Sequence, residues 1–254
     1  MQKLHSLQTN FKKLDKITGG FFPGELTVIG ARPSVGKTSF LCSLIKQITL
    51  DSGSRGLFFS LEMPVETFRI RMVSSMARIP VSKIRAGELN ENEEKYCERL
   101  MKQIEDLPLD IIDKADLNIN ELCAVARKLC KKKDIKIIYI DYLGLITTDD
   151  SNQPIFDQVA CIIKKLKVLA RELNIPIVIL SQVAHDTTGN PPVLNQIRGS
   201  GEIEAVSDVV LLLHRDASKQ SNSAKLFVAK NHNGTLGSVD FAFYTEIVTF
   251  EEPE

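Results

Sequence analysis

Short, unbroken apolar runs alternate with amphipathic stretches along most of the chain. Leu26–Gly30 (LTVIG), Gly56–Leu61 (GLFFSL), Ile135–Asp141 (IKIIYID) and Ile175–Leu180 (IPIVIL) each read as a strand. Strands buried on both faces have this near-continuous Ile/Val/Leu character. Helical patterns lie between them, at Lys37–Leu50, Pro64 to about Arg78, Asn90 to about Ile104 and Asn118–Cys130. Val159, Ile162, Ile163, Leu166, Leu169, Ala170 and Leu173 recur at helical spacing and predict a helix of roughly 18 residues. Leu109–Asp113 predicts a short strand. Val209–Leu213, Leu226–Ala229 and Val239–Phe243 are strand-like, with little helix between them. The alternation predicts an α/β fold: a mostly parallel, twisted sheet flanked by helices, turning antiparallel at its C-terminal end.

Composition narrows the class. With 254 residues, 43% of them apolar, the chain suits one large domain over residues 1–254, residues 1–25 forming a lead-in segment. That apolar share excludes disorder. No run approaches the ~18 apolar residues of a membrane span, so no membrane partner is expected. The opening MQKLHSLQTNFKKLDK has no secretory core, which predicts a cytoplasmic protein. Basic and acidic residues balance at 32 each, which argues against a broad basic face and leaves room for local contacts to nucleic acid. Cys42, Cys97, Cys123, Cys130 and Cys161 are odd in number and scattered, so buried thiols are expected, without a disulfide framework or zinc site.

Chemistry first appears after the first strand, in ARPSVGKT. A phosphate-binding loop needs Gly, four residues, then Gly-Lys-Ser/Thr. Here Ala31 takes the first position, where a small residue suffices. Gly36 lets backbone N–H groups converge on phosphate oxygens. Lys37 would reach the β- and γ-phosphates, and the Thr38 hydroxyl would ligate Mg²⁺. The helix start adds its partial positive charge. The expected ATP-binding set is Ala31, Arg32, Pro33, Ser34, Val35, Gly36, Lys37, Thr38 and Ser39.

Hydrolysis needs further groups. Asp141 ends the strand IIYID, at the sheet edge where a carboxylate can hold the metal directly or through water. Glu62 follows GLFFSL at the same edge and could polarise an attacking water; a lone glutamate there also reads as a capping or surface residue. Gln182 follows IPIVILS and could sense the γ-phosphate, though Ser-Gln on a loop is otherwise unremarkable.

With these pieces in order, the sequence resembles the C-terminal ATPase domain of DnaB-type replicative DNA helicases, among the RecA-like ring ATPases. The similarity runs from LDKITGGFFPGELTVIGARPSVGKT through SLEM, IDYLGLI, LKVLARELNIPIVILSQ and IRGSGEIEAVSDVVLLLHRD to AKNHNGTLG. It implies a RecA-like P-loop fold, Glu62 as catalytic base, Asp141 as metal-associated acid and Gln182 as γ-phosphate sensor. It also implies a six-membered ring with ATP between subunits, single-stranded DNA in the channel, 5′–3′ type unwinding, and helicase loader and primase partners. IRGSG is similar to the family's DNA-contacting loop, usually LRESG. Arg198, Ser200 and Gly201 match as candidate DNA contacts, and Gly199 replaces a glutamate. Arg198 and backbone N–H groups would hold phosphates without reading bases.

Three departures stand out. The family carries AKxRNG to reach a neighbour's ATP in trans; here Lys230 matches, but His232 replaces the arginine finger. Such a finger contributes ~10³–10⁵-fold in rate, and a free histidine is mostly neutral at pH 7. Arg215 is a candidate to compensate. The family's SQLNR reads SQVAH, with Ala184 and His185. The family's N-terminal helical domain, which locks the ring, has no counterpart in the sequence, so weak self-association is expected. Two other readings remain open: a RecA-like recombination ATPase, and a hydrolysis-poor nucleotide-binding paralogue, which His232 favours. Lys131–Lys133, Lys164, Lys165 and Lys167 read mainly as solvated helix faces, and residues 150–154 and 185–192 as loops.

Overall fold

The computed structural model of the chain describes residues 5–150, 153–184, 190–197, 199–215 and 222–253. Its strands are β1 (Leu26–Ala31), β2 (Gly56–Ser60), β3 (Leu109–Ile112), β4 (Ile137–Asp141), β5 (Ile177–Gln182), β6 (Val209–His214), β7 (Ser223–Asn231), β8 (Gly237–Tyr244) and β9 (Thr249–Glu251). They form one sheet in the order β3-β2-β4-β5-β1-β6-β7-β8-β9. The first six are parallel, and β7, β8 and β9 continue it antiparallel. The expected architecture is therefore present. β1 lies between β5 and β6, so the loop leaving it opens at the middle of the sheet's carboxyl edge.

Period-two alternation divides the central strands between two cores. Phe58, Tyr139, Val178 and Leu180 face one side, packed with residues of α1 (Lys12–Thr18), α2 (Lys37–Lys46), α3 (Val65–Ala77) and α5 (Glu91–Glu105), with α4 (Val81–Ala86) at the margin. Phe59, Ile138, Ile140 and Ile179 face the other, under α6 (Ile119–Lys132), α7 (Ile155–Leu173) and α8 (Ser200–Val206). The long amphipathic helices match the sequence pattern. Asn90 starts α5 with a reciprocal cap, accepting from Glu93 N–H while the Glu93 carboxylate accepts from Asn90 N–H.

The sequence pattern misplaces several short elements. Lys37–Leu50 is not one α-helix: α2 ends at Lys46 and continues as a π-helical turn, Gln47–Asp51. Helices α1 and α4 bury one residue and none, too few to give a periodic signal. Glu252 accepts hydrogen bonds from the Lys13 and Leu14 N–H groups at the start of α1, so the two ends of the chain meet.

One buried group is unsatisfied. The Tyr139 hydroxyl in β4 is fully buried with no hydrogen-bond partner, and burial drives its pKa far upward. Removing an unpaired buried hydroxyl without changing the ring relieves a desolvation cost of about 1 kcal/mol. Tyr139→Phe is therefore expected to raise the urea midpoint with an unchanged slope; a lower midpoint would show that the hydroxyl has a partner.

Candidate nucleotide site

The loop Arg32–Gly36 turns β1 into α2. Gly36 has φ +105°, and a Cβ there would press to 3.1 Å from the Phe243 and Phe250 rings, so glycine is demanded twice. The turn brings Lys37 and Thr38 against the end of β4. Thr38 Oγ1 donates to Asp141 Oδ2 at 2.8 Å. Lys37 Nζ lies 3.9 Å from Asp141 Oδ1 and 3.9 Å from the centroid of the Tyr142 ring. Asp141 is 0% exposed and Lys37 9%. Lys37 Nζ and Asp141 Oδ1 are nonetheless buried without hydrogen-bond partners.

Burial dominates the electrostatics. It raises the Asp141 carboxyl to about 6, against the opposing pull of Lys37 and the Thr38 hydrogen bond. It lowers the Lys37 ammonium, against the pull of Asp141 and Glu62. Both groups are thus pressed toward their neutral forms, and a bound phosphate and cation would restore their charges. A folded-state pKa above the unfolded value means that stability is lost as pH rises toward and through 6. Asp141→Asn removes that loss. In nucleotide-free protein with EDTA, the variant should gain on the order of 2 kcal/mol relative to wild type between pH 4.5 and 7.5. A pH-independent difference between the two unfolding curves would contradict this.

Other edge residues complete the wall. The Leu61 and Glu62 N–H groups donate to Asp141 O at 2.9 and 3.2 Å, which fixes the exit of β2 beside that of β4. Gln182, the exposed last residue of β5, stands in register with Ala31. A cavity of 530 Å³ is lined by residues 31–34 and 36–39 with Glu62 and Gln182. Of the loop, Val35 is buried.

The same cavity is lined by Arg71, Arg215, Phe243, Thr245 and Val248. Arg215 donates to Ser34 O at 3.2 Å and lies 4.9 Å over the Phe243 ring. It therefore serves the chain's own site and does not stand near His232. Arg71, on α3, and the β8–β9 turn have no signal in the sequence: one arginine on an amphipathic helix reads as a solvated face. A groove of 710 Å³ elsewhere is larger, but among the described residues no unpartnered buried charge lines it.

Comparison with known proteins agrees with this geometry. A family model described as DnaB-like helicase C terminal domain matches residues 6–252. The chain belongs to that family. It is 40% identical over 247 residues to "Replicative DNA helicase DnaB" of Treponema pallidum, covering 97% of this chain and 56% of that protein. It is 31% identical over 257 residues to the Geobacillus stearothermophilus protein of that name, covering 98% and 57%. The chain thus spans just over half the length of these relatives. A solved structure described as an ATPase domain superposes with a TM-score of 0.92 at 28% identity, covering 99% of this chain and 92% of that one. Another, "The Structure Of A DnaB-Like Replicative Helicase And Its Interactions With Primase", gives 0.92 at 28%, covering 99% and 62%. The helicase fold is RecA-like, as the resemblance implied.

In this family member, Lys230 and His232 sit at the opposite end of β6 from the phosphate loop. Lys230 pairs with Val210, and His232 N–H donates to Asp208 O at 2.9 Å. Leu213 pairs with Ala31, so His232 lies about 16 Å down the strand from its own loop. Arg198 and His185 fall outside the described residues, as does the Ser200 side chain. The Ser200 backbone and Gly201 are not loop but the first turn of α8. Gly199 has φ +77°, and a Cβ would sit 2.5 Å from Val159 Cγ1. No side chain fits there, which accounts for the missing glutamate. Lys164 pairs with Glu202 and Lys165 bonds Asn120. Lys167 differs from the solvated reading: it is partly buried, bonded to Asp208 and Gly24 O.

Proposed function

We propose that this chain is the motor domain of a replicative DNA helicase. It binds Mg²⁺–ATP between subunits of a hexameric ring and hydrolyses it to translocate on single-stranded DNA, unwinding duplex in the 5′–3′ sense. The observation that carries this is the pair of buried, unpartnered groups, Lys37 Nζ and Asp141 Oδ1, on either side of the Thr38 hydroxyl. A cation donor, a carboxylate and a hydroxyl without internal use suit a phosphate and its metal. Mg²⁺, when bound, would neutralise charge on the phosphate oxygens.

Within the site, Lys37 holds phosphate, Thr38 and Asp141 hold the metal shell, and Glu62 activates water. Gln182 links the γ-phosphate to the segment after β5. Arg71 adds a second cation from the same subunit, and Arg215 with Phe243 offers a flat surface for the base. Lys230 and His232 reach the neighbouring subunit's nucleotide, since their own is beyond reach. Arg198, Ser200 and Gly201 hold the DNA backbone. The relatives' names support a cytoplasmic replication role with a helicase loader and primase as partners. Self-association by this segment alone is weak.

The test is steady-state ATP hydrolysis with and without single-stranded DNA, at protein concentrations that force assembly, paired with unwinding of a forked duplex. DNA-stimulated turnover with unwinding supports the motor. Stimulated turnover without unwinding would favour a recombination-type filament ATPase. ATP binding without turnover would favour a hydrolysis-poor ring partner, the reading to which His232 points.

A further inference from the structure

Lys230 makes a contact inside its own subunit that a role across an interface does not require. Its ammonium donates to the backbone carbonyls of Glu204 and Ser207, both at 2.5 Å. These carbonyls belong to the C-terminal end of α8, where helix carbonyls lack internal partners and carry partial negative charge. The reach is built into the sheet. Val210 pairs with Lys230 but Leu211 pairs with Val228, so Ala229 is an extra residue in β7. In an unbroken strand Lys230 would share a face with Leu226 and Val228, which pack into the opposite core. The bulge brings it to the side of Phe227 and Ala229, where α8 buries Ile203.

Helix α8 is held lightly. It has seven residues, rests on α7 through Gly199 and Val159, and is tied there by the exposed Lys164–Glu202 pair. Beside it an apolar groove of 620 Å³ stays open, lined by Val193, Leu212, Phe227 and Leu236. Val193 is 51% and Leu236 64% exposed. A displacement of α8 toward the groove meets space instead of close-packed core.

We propose that Lys230 has two alternative positions. In one it caps α8; in the other it leaves α8 for the phosphates of the neighbouring subunit's nucleotide. A full anionic charge draws the ammonium away from two carbonyl dipoles. A triphosphate in one subunit thereby loosens the DNA-gripping helix of the next. Lys230 is in this sense a positioning residue for α8, and the proposal rests on the reading of the chain as a ring motor.

Two measurements test it together. The first is amide hydrogen exchange over residues 199–208. In nucleotide-free protein, Lys230→Met should speed α8 exchange by about tenfold or more, as loss of a cap opens a short helix, while Lys230→Arg stays near wild type. In assembled wild type, Mg²⁺ with a non-hydrolysable ATP analogue should move α8 exchange toward that of Lys230→Met. The second is oligo(dT) affinity by fluorescence anisotropy, in ADP and in the analogue. Wild type should bind at least about fivefold more weakly in the analogue, a typical coupling, and in Lys230→Met the ratio should fall to about one. A cap with a purely structural role would weaken both affinities equally and leave the ratio intact. An unchanged ratio in the variant, a wild-type ratio of one, or protection of α8 by the analogue overturns the proposal. Failure of wild type to bind a fluorescent ATP analogue or oligo(dT) would instead sink the motor reading, and the coupling with it.

Discussion

Glu62→Gln is expected to reduce ATP turnover by on the order of 10²–10⁴-fold, the usual contribution of a positioned general base, with nucleotide affinity little changed. Glu62 lines the same cavity as Lys37 and Thr38. Its backbone is anchored to Asp141 O, so the side chain starts from a fixed point. It has no ion pair among the described residues, and its exposure means that the amide costs little stability. Phosphate release and fluorescent-nucleotide binding, measured side by side, separate the chemical step from binding. Turnover within tenfold of wild type would place the base elsewhere on the cavity wall. A parallel loss of binding would make Glu62 a structural support of the loop.

The second large effect runs in the other direction. His232→Arg should raise DNA-stimulated turnover at pH 8 by at least about tenfold, a fraction of what an arginine finger can supply. His232 is exposed on the turn after β7, beside Lys230 and far from its own phosphate loop. Substitution there leaves the core untouched, and a guanidinium gains reach, fixed charge and paired donors. The comparison belongs at matched assembly, because a trans residue acts only where subunits meet. No change would mean that the cation is already provided within the subunit, and Arg71→Ala in the His232→Arg background would then locate it.

Much of the fold could be read from the chain because the central strands are buried on both faces. Their apolar runs have no other use, and the glycine-lysine-threonine turn fixed where chemistry must lie. Thr38, Asp141, Glu62 and Gln182 were recognisable because each ends or follows such a run, so the shared edge brings them together. Arg71 was not, since a helix surface hides which charges face a cavity. The β8–β9 turn was not, because nothing in Thr245 or Val248 marks a wall. Helix α8 was concealed by its glycines, and the bulge at Ala229 by the fact that one inserted residue leaves no trace in a short alternating run. The tie from Lys230 to α8 depends on that bulge.

The hydrogen bonds from the start of α1 to Glu252 also have a mechanical meaning. Residues 13 and 252 are joined at the antiparallel margin, several strands from β1. Tension applied to whatever segments adjoin the two ends would be borne first by α1 and β9, peeled from that margin one bond at a time. The phosphate loop lies off that load path. Strain from DNA would enter through α8 instead, on the opposite face of the sheet, so the chain can be tethered at its ends without those tethers straining the site where nucleotide is held.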